Sequence, residues 1–314
     1  MTQAIRSLCA NPAYDKSMHI DHVVPDRKLR CGPPLVDPGG GGVNVARAIF
    51  QLGGKALVIY PAGGPTGETI EELLDEEGVT QRRIPIEGRT RESVTVFEDA
   101  TGHQYRFSTP GAEVSDEECQ RVFDAVFDWD EPPAYLVASG SISPGMPEDF
   151  YAQIARRCRE LGIKFIVDSS GEEFRQAVDV GVFLIKPNMR ELGHLAGEEI
   201  ESEAHQVEVS ERLIEEGKAE VVLVSLGAGG AMLFSKDLQE SIRAPTVNIK
   251  SKIGAGDTMV GGLTLALAQG KTIREAAYYA VAAGSAAVMT PGTELAHRED
   301  TERLYDRMWS KQQR

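Results

Sequence analysis

Short runs of apolar residues alternate with amphipathic stretches along most of the chain. Ile5–Ala10, Ala56–Tyr60, Tyr135–Ser139, Phe165–Asp168, Phe183–Lys186 and Val221–Ser225 are nearly continuous in apolar side chains. Strands covered on both faces of a parallel sheet have that character. Helical spacing fills the intervals at Val43–Leu52, Thr69–Glu77, Asp116–Phe127, Glu148–Leu161 and Ala204–Glu216. Ser115-Asp-Glu-Glu118 and Thr272-Ile-Arg-Glu275 read as capping boxes that start helices. The repetition predicts a three-layer α/β fold with a mostly parallel central sheet and right-handed crossovers.

Two segments break the rhythm. Met18–Val36 alternates apolar and polar residues, and Arg83–Phe107 reads as strands around the turn Asp99-Ala-Thr-Gly102. Both are too polar for a central strand. They predict a small β-sheet lid, built from two excursions at about 18–36 and 80–109 of one domain spanning 1–314. The apolar face of such a sheet needs a cover, either the edge of the domain or a second copy of the chain, and a homodimer through the lid is the first expectation. Ala255–Ala268 and Ala276–Met289 are helices rich in Ala and Gly, apolar all round, and belong inside the layer next to the sheet.

Composition adds exclusions. The 314 residues are 41% hydrophobic and 26% charged, with a formal net charge of −15. That charge opposes a general nucleic-acid or anionic-membrane surface, and a site for an anion must carry its own cations or backbone dipoles. Cys9, Cys31, Cys119 and Cys158 show neither CxxC spacing nor companion histidines, which points to reduced thiols rather than a zinc site or disulfides. No run approaches the roughly 18 apolar residues of a membrane span, and Met-Thr-Gln-Ala-Ile-Arg lacks a signal-peptide core. A cytoplasmic protein is expected.

Candidate chemistry begins at Asp37-Pro-Gly-Gly-Gly-Gly-Val-Asn44, where glycines open a helix and expose backbone amides to a phosphate or sugar oxygen. The dinucleotide fingerprint fails here, because its third glycine falls on Asn44 or Val45. Gly270-Lys-Thr272 is not a P-loop, since the glycine it needs upstream is Leu265. Gly254-Ala-Gly-Asp257 is a second loop entering a helix, and Asp257 is the one charge between Ile253 and Ala268. Two readings stand for it: a base beside an anion hole of backbone N–H groups, or a helix N-cap. A helix N-terminus should depress its pKa.

Further polar groups follow predicted strands, where open α/β sheets bind ligands. In Lys186-Pro-Asn-Met-Arg-Glu191, Lys186 could meet a phosphate, while Asn188 and Glu191 either face one hydrated Mg²⁺ or cap a helix. Ser139-Gly-Ser141 and Ser225-Leu-Gly227 are similar strand-end loops, and Lys28, Arg30 and Arg91 place cations on the lid.

Together these residues resemble the ribokinase-like (PfkB) carbohydrate kinases over nearly the whole chain. The most specific elements are Asp37-Pro-Gly-Gly-Gly-Gly-Val-Asn-Val-Ala-Arg47, Val167-Asp-Ser-Ser-Gly171, Lys186-Pro-Asn188 with Glu191, Val224-Ser-Leu-Gly227 and Ile253-Gly-Ala-Gly-Asp257. The resemblance implies an ATP-dependent kinase in which Asp257 is the base and Gly254, Ala255 and Gly256 form the anion hole. It further implies that Asn188 and Glu191 organise Mg²⁺ and the nucleotide phosphates, with Lys186, Ser225 and Gly227 along the ATP path. Within the family the residues look most like the bacterial minor 6-phosphofructokinases. Asp15, Lys28, Arg30, Gly39, Gly40, Gly41, Gly42, Asn44, Arg91 and Ser139 resemble that group's sugar-phosphate contacts. Gly41 stands where the 1-phosphofructokinase and tagatose-6-phosphate kinase branch usually has lysine. A K⁺ site, common in the family, would use backbone carbonyls near Ser251, Ile253, Ala287, Thr290 and Gly292. Pro291-Gly-Thr-Glu294 departs there from the asparagine- or glutamine-Gly-Thr-Arg form.

The expectation is a MgATP-dependent kinase acting on the 1-hydroxyl of fructose 6-phosphate. Tagatose 6-phosphate or fructose 1-phosphate is the alternative substrate. A non-catalytic sugar-phosphate- or nucleotide-binding regulator is the alternative of another class.

Overall fold

Successive residues of the central strands point into two different cores, one on each face of a large sheet. In the computed structural model, which describes residues 2–312, the first half of the chain forms β1 (Ile5–Leu8), β2 (Ala13–Ile20), β3 (Leu35–Gly39), α1 (Gly41–Gln51), β4 (Leu57–Ala62), α2 (Gly64–Glu77), β5 (Gln81–Pro85), β6 (Arg91–Glu98), β7 (His103–Ser108), α3 (Asp116–Val126), β8 (Tyr135–Ser139) and α4 (Phe150–Leu161). The second half adds β9 (Lys164–Asp168), α5 (Gly171–Val180), β10 (Val182–Ile185), α6 (Met189–Ala196), α7 (Glu203–Glu215), β11 (Ala219–Ser225), β12 (Ala231–Ser235), β13 (Leu238–Ile242), α8 (Ala255–Ala268), α9 (Ile273–Ala287) and α10 (Arg298–Gln312).

The large sheet has nine strands in the order β13-β12-β11-β10-β9-β8-β1-β4-β5. From β5 to β11 every pairing is parallel, and β12 and β13 add an antiparallel edge. Tyr135 and Val137 of β8 pack into the core shared with α1, α2, α8, α9 and α10. Leu136 and Ala138 enter the core shared with α3, α4, α5, α6 and α7. That period-two division is why these strands read as unbroken apolar runs.

The small-residue helices lie where expected. Both α8 and α9 are buried along most of their length, and a methyl group on Gly262 would stand 2.8 Å from Ala283 Cβ. Both capping boxes are present, at Ser115 with Glu118 and Thr272 with Glu275.

The lid is a four-stranded sheet ordered β3-β2-β6-β7, with β2 and β6 parallel and the outer pairs antiparallel. Its boundaries differ from expectation in two places. The first lid strand starts at Ala13 rather than Met18, and 21–34 is a loop. Gln81–Pro85 is β5, the edge strand of the large sheet, so the second excursion begins at Arg91 rather than near residue 80. Arg83 there alternates with buried Ile84 and pairs with Glu71, which gave a solvated edge strand the polarity of a lid strand. The hairpin β12–β13 and helices α5 and α10 were not expected from the pattern.

Candidate active site

The loops after β8, β9, β10 and β11 lie at the carboxyl edge of the large sheet, facing the N-termini of α1 and α8. Gly254 caps α8 with φ 72°, a left-handed conformation that glycine adopts without strain. Asp257 therefore sits three residues into the helix and makes no capping bond. Instead its Oδ2 accepts a 2.9 Å hydrogen bond from Asn44 Nδ2, and its Oδ1 lies 3.5 Å from the Ser139 hydroxyl. The N-cap reading is thereby excluded. Ala255, Gly256 and Asp257 present first-turn N–H groups that have no partner within the helix.

The expected depression of the Asp257 pKa is reversed. Burial pushes it up to about 6, the nearby Asp168 charge adds to the rise, and the Asn44 hydrogen bond and Lys186 only partly oppose them. The helix-end dipole is worth less than removing water from a carboxylate.

The glycine loop comes against this carboxylate from the other side. Gly40 has φ 105°, and a methyl on Gly41 would stand 2.5 Å from Ser139 Oγ. Gly42 packs on the Leu8 carbonyl, and a methyl on Gly39 would overlap the Asp15 carboxylate. No side chain larger than hydrogen fits at either place without moving backbone or the Asp15 side chain.

Lys186 is 5% exposed and pairs with Asp168 at 3.2 Å. Its ammonium lies 3.6 Å from the point where a side chain on Gly256 would begin, which puts it beside the first turn of α8. Burial lowers its pKa, but Asp168, Glu191 and Asp257 outweigh that and hold it charged. Asn188 and Glu191 form a reciprocal capping box at the start of α6, Glu191 accepting from Asn188 N at 2.8 Å and Asn188 accepting from Glu191 N at 2.9 Å. Ser225 pairs with Asn188 in an isolated bridge, and Gly227 opens the turn beyond it.

On the lid, Asp15 is raised to about 6 by burial, against the pull of Arg91 and Arg106. Arg91 is anchored to the carbonyls of Asn11 and Pro12 at 3.1 and 3.4 Å and to Ser108 Oγ at 2.8 Å. Lys28 and Arg30 lie exposed in the 21–34 loop, and no ion pair or side-chain hydrogen bond among the described residues ties them to the others. Two further groups at the site carried no individual role in the sequence, although Asp168 lies in the Val167–Gly171 motif. Asp168 ends β9 as a lone charge after an apolar run, which was the available signal. Arg106 lies within electrostatic reach of both Asp15 and Asp257. Its face follows from register, since Ser108, Ser93 and Asp15 form one cross-strand row and Arg106 is two residues from Ser108.

The model of pfkB family carbohydrate kinases matches residues 10–300. The chain belongs to that family. It is 41% identical over 302 residues to ATP-dependent 6-phosphofructokinase isozyme 2 of Mycobacterium tuberculosis, covering 96% of this chain and 89% of the relative. Against the Escherichia coli protein of that description identity is 39%, over 96% of this chain and 97% of the relative. A crystal structure of Escherichia coli phosphofructokinase-2 in complex with potassium superposes with a TM-score of 0.94 at 37% identity, covering 98% of this chain and 100% of that one. A tetrameric inhibited form of that enzyme superposes at 0.92 with 38% identity, over 98% of this chain and 99% of that one.

A pfkB kinase is a phosphotransferase acting on a sugar hydroxyl, and the site is equipped for phosphate chemistry. Asp168, Glu191 and Asp257 surround one ammonium, and burial together with the Asp168 charge raises Glu191 as it does Asp257. Such excess negative charge fits a hydrated divalent cation. Among the described residues no group of three or more His, Cys, Asp or Glu side chains is placed to hold a metal ion. The segments of the candidate K⁺ site do converge: Ser251 Oγ donates to the Gly292 carbonyl at 2.7 Å, Ile253 N donates to Ser251 Oγ at 3.2 Å, and Thr290 Oγ1 lies 2.7 Å from the Ala287 carbonyl.

Proposed function

We propose that this chain is an ATP-dependent 6-phosphofructokinase that transfers the γ-phosphoryl group of MgATP to the 1-hydroxyl of fructose 6-phosphate. The observation carrying this reading is the 2.9 Å bond from Asn44 to Asp257, which joins the glycine loop to the anion hole at one carboxylate. Above pH ~6 Asp257 is ionised and can take the hydroxyl proton. The sugar oxygen then bonds to the γ-phosphorus as the bond to the β–γ bridging oxygen breaks and ADP leaves. The N–H groups of Gly254, Ala255 and Gly256, together with that of Asp257, would bind the transferring phosphoryl oxygens, each worth about 10²–10³ in rate. Asp15 and Asn44 would hold sugar hydroxyls, Arg91 the 6-phosphate, and Lys28 and Arg30 further positive charge from their loop. Lys186, Ser225 and Gly227 would follow the nucleotide phosphates. Asn188 and Glu191 would hold Mg²⁺ through water, and the ion would neutralise phosphate charge. K⁺ at the 251–253 and 287–292 carbonyls belongs to the same reading, supported by the potassium complex of the Escherichia coli enzyme.

A cytoplasmic setting is supported by four unpaired cysteines. Among the described residues no helix is long and apolar enough to cross a membrane. A homodimer through the lid is supported by Phe107, 60% exposed on the lid face opposite Asp15.

The test is ADP release with fructose 6-phosphate, tagatose 6-phosphate, fructose 1-phosphate and unphosphorylated fructose at fixed MgATP. Fructose 6-phosphate should give the highest kcat/KM, and phosphorus NMR should show a 1,6-bisphosphate product. A higher kcat/KM for another sugar would overturn the assignment.

A further inference from the structure

Behind the sugar pocket lies a partly buried network that the reaction does not touch. Arg47 of α1 is 3% exposed. It donates to both oxygens of Glu77 in α2, with Nε at 3.0 and 2.8 Å, and from Nη2 to Oε1 at 2.5 Å. It also donates to the Pro38 carbonyl at 3.0 Å and to Asp37 Oδ1 at 3.2 Å. The second oxygen of Asp37 accepts a hydrogen bond from the hydroxyl of Thr293. Asp37 is directly opposite Asp15 in the β2–β3 ladder, so both side chains leave the same face of the lid.

Thr293 belongs to a loop wedged between the anion hole and the lid. Ile253 N donates to Ser251 Oγ, and Ser251 Oγ donates to the Gly292 carbonyl. A methyl on Gly292 would stand 3.5 Å from Ser17 Oγ in β2 and 3.6 Å from the Leu35 side chain in β3. The loop thus touches the segment leading into α8 on one side and both lid strands on the other.

We propose that Thr293, Asp37 and Arg47 form a positioning relay that holds the Asp15-bearing edge of the lid in register with the anion hole. Thr293 and Arg47 thereby set sugar-phosphate affinity without contacting the substrate. Arg47 fixes Asp37 to the core helices, and Thr293 fixes it to the loop beside α8. Losing the Thr293 link frees the β2–β3 edge while leaving Asp257, Lys186 and the first turn of α8 in place. The inference rests on Asp15 binding the sugar, as proposed above.

Steady-state kinetics of Thr293→Val and Thr293→Ser test it, with MgATP and fructose 6-phosphate varied separately and melting temperatures recorded. Wild-type turnover of fructose 6-phosphate is measured first, so that a wrong substrate assignment shows itself before any variant is read. Thr293→Val should raise the fructose 6-phosphate KM about five- to tenfold, the scale of coupling within one hydrogen-bond network. Its kcat and MgATP KM should stay within about twofold, because uniform binding rather than transition-state contact is lost. Thr293→Ser, which keeps the hydroxyl, should restore the wild-type KM. Asp37→Asn reads the same relay independently, and the double variant Thr293→Val with Asp37→Asn should be no worse than the poorer single. An unchanged sugar KM in Thr293→Val, a kcat loss equal to the kcat/KM loss, or multiplicative losses in the double variant would overturn the relay.

Discussion

Asp257 and Asp15 are both raised to about 6, mainly by burial; on the proposed reading Asp257 must be ionised to take the sugar proton, and Asp15 accepts more strongly from a sugar hydroxyl when it is ionised. The acid limb of the pH profile of kcat/KM should therefore fall below pH ~6, with two protons lost together rather than one. A limb near pH ~4 would mean that neither carboxylate is perturbed in solution. Asp257 also costs stability. Its folded pKa lies above the ordinary carboxylate value, so the folded state resists its ionisation, and the cost is full above pH ~6 and vanishes as pH falls towards ~4. Asp257→Asn should raise Tm by a few degrees at pH ~7.5, and the gain should disappear near pH ~4. A Tm that falls at neutral pH would show the carboxylate to be structural.

At the scale of elements, the placement of the first turn of α8 depends on small residues far from it. A methyl on Gly262 would stand 2.8 Å from Ala283 Cβ, and one on Gly261 would stand 3.0 Å from Ala48 Cβ. Gly262→Val should therefore destabilise by about 2 kcal/mol or more through overpacking, read as a lower denaturation midpoint. Wild-type stability in that variant would show that α8 and α9 are not closely packed. The same helices show what the sequence made legible. Their Ala-Gly composition announced burial, and the apolar runs announced the parallel strands, because both signals are local. The hairpin β12–β13 escaped because Leu238-Gln-Glu-Ser-Ile242 is a half-solvated edge strand joined by a two-residue turn. Helix α5 escaped because it buries only Phe174, Ala177 and Val178. The site divides in the same way. Asp257, Asn44 and the glycines are adjacent in short motifs and were readable. Asp168 gains its role from Lys186 on the next strand, and Arg106 from a cross-strand register, so neither role is visible before the sheets are paired.

For the whole molecule, the lid carries two demands. Its face with Asp15, Arg91 and Arg106 is largely polar and turned to the site, while on the opposite face Phe107, in one cross-strand row with Val94, remains 60% exposed. Apolar side chains of that size on a small sheet favour a second copy as cover. Phe107→Asp should halve the mass found by light scattering and leave the circular dichroism spectrum intact. An unchanged mass would place the association surface elsewhere.

The most direct measurement compares Asp257→Asn with wild type by single-turnover phosphoryl transfer and by calorimetric titration with fructose 6-phosphate. Loss of the proton acceptor should slow transfer by about 10²–10⁴. Sugar binding should change by less than about tenfold, because the amide oxygen of the substituted side chain can still accept from Asn44 Nδ2. Near-normal transfer in that variant would contradict the account.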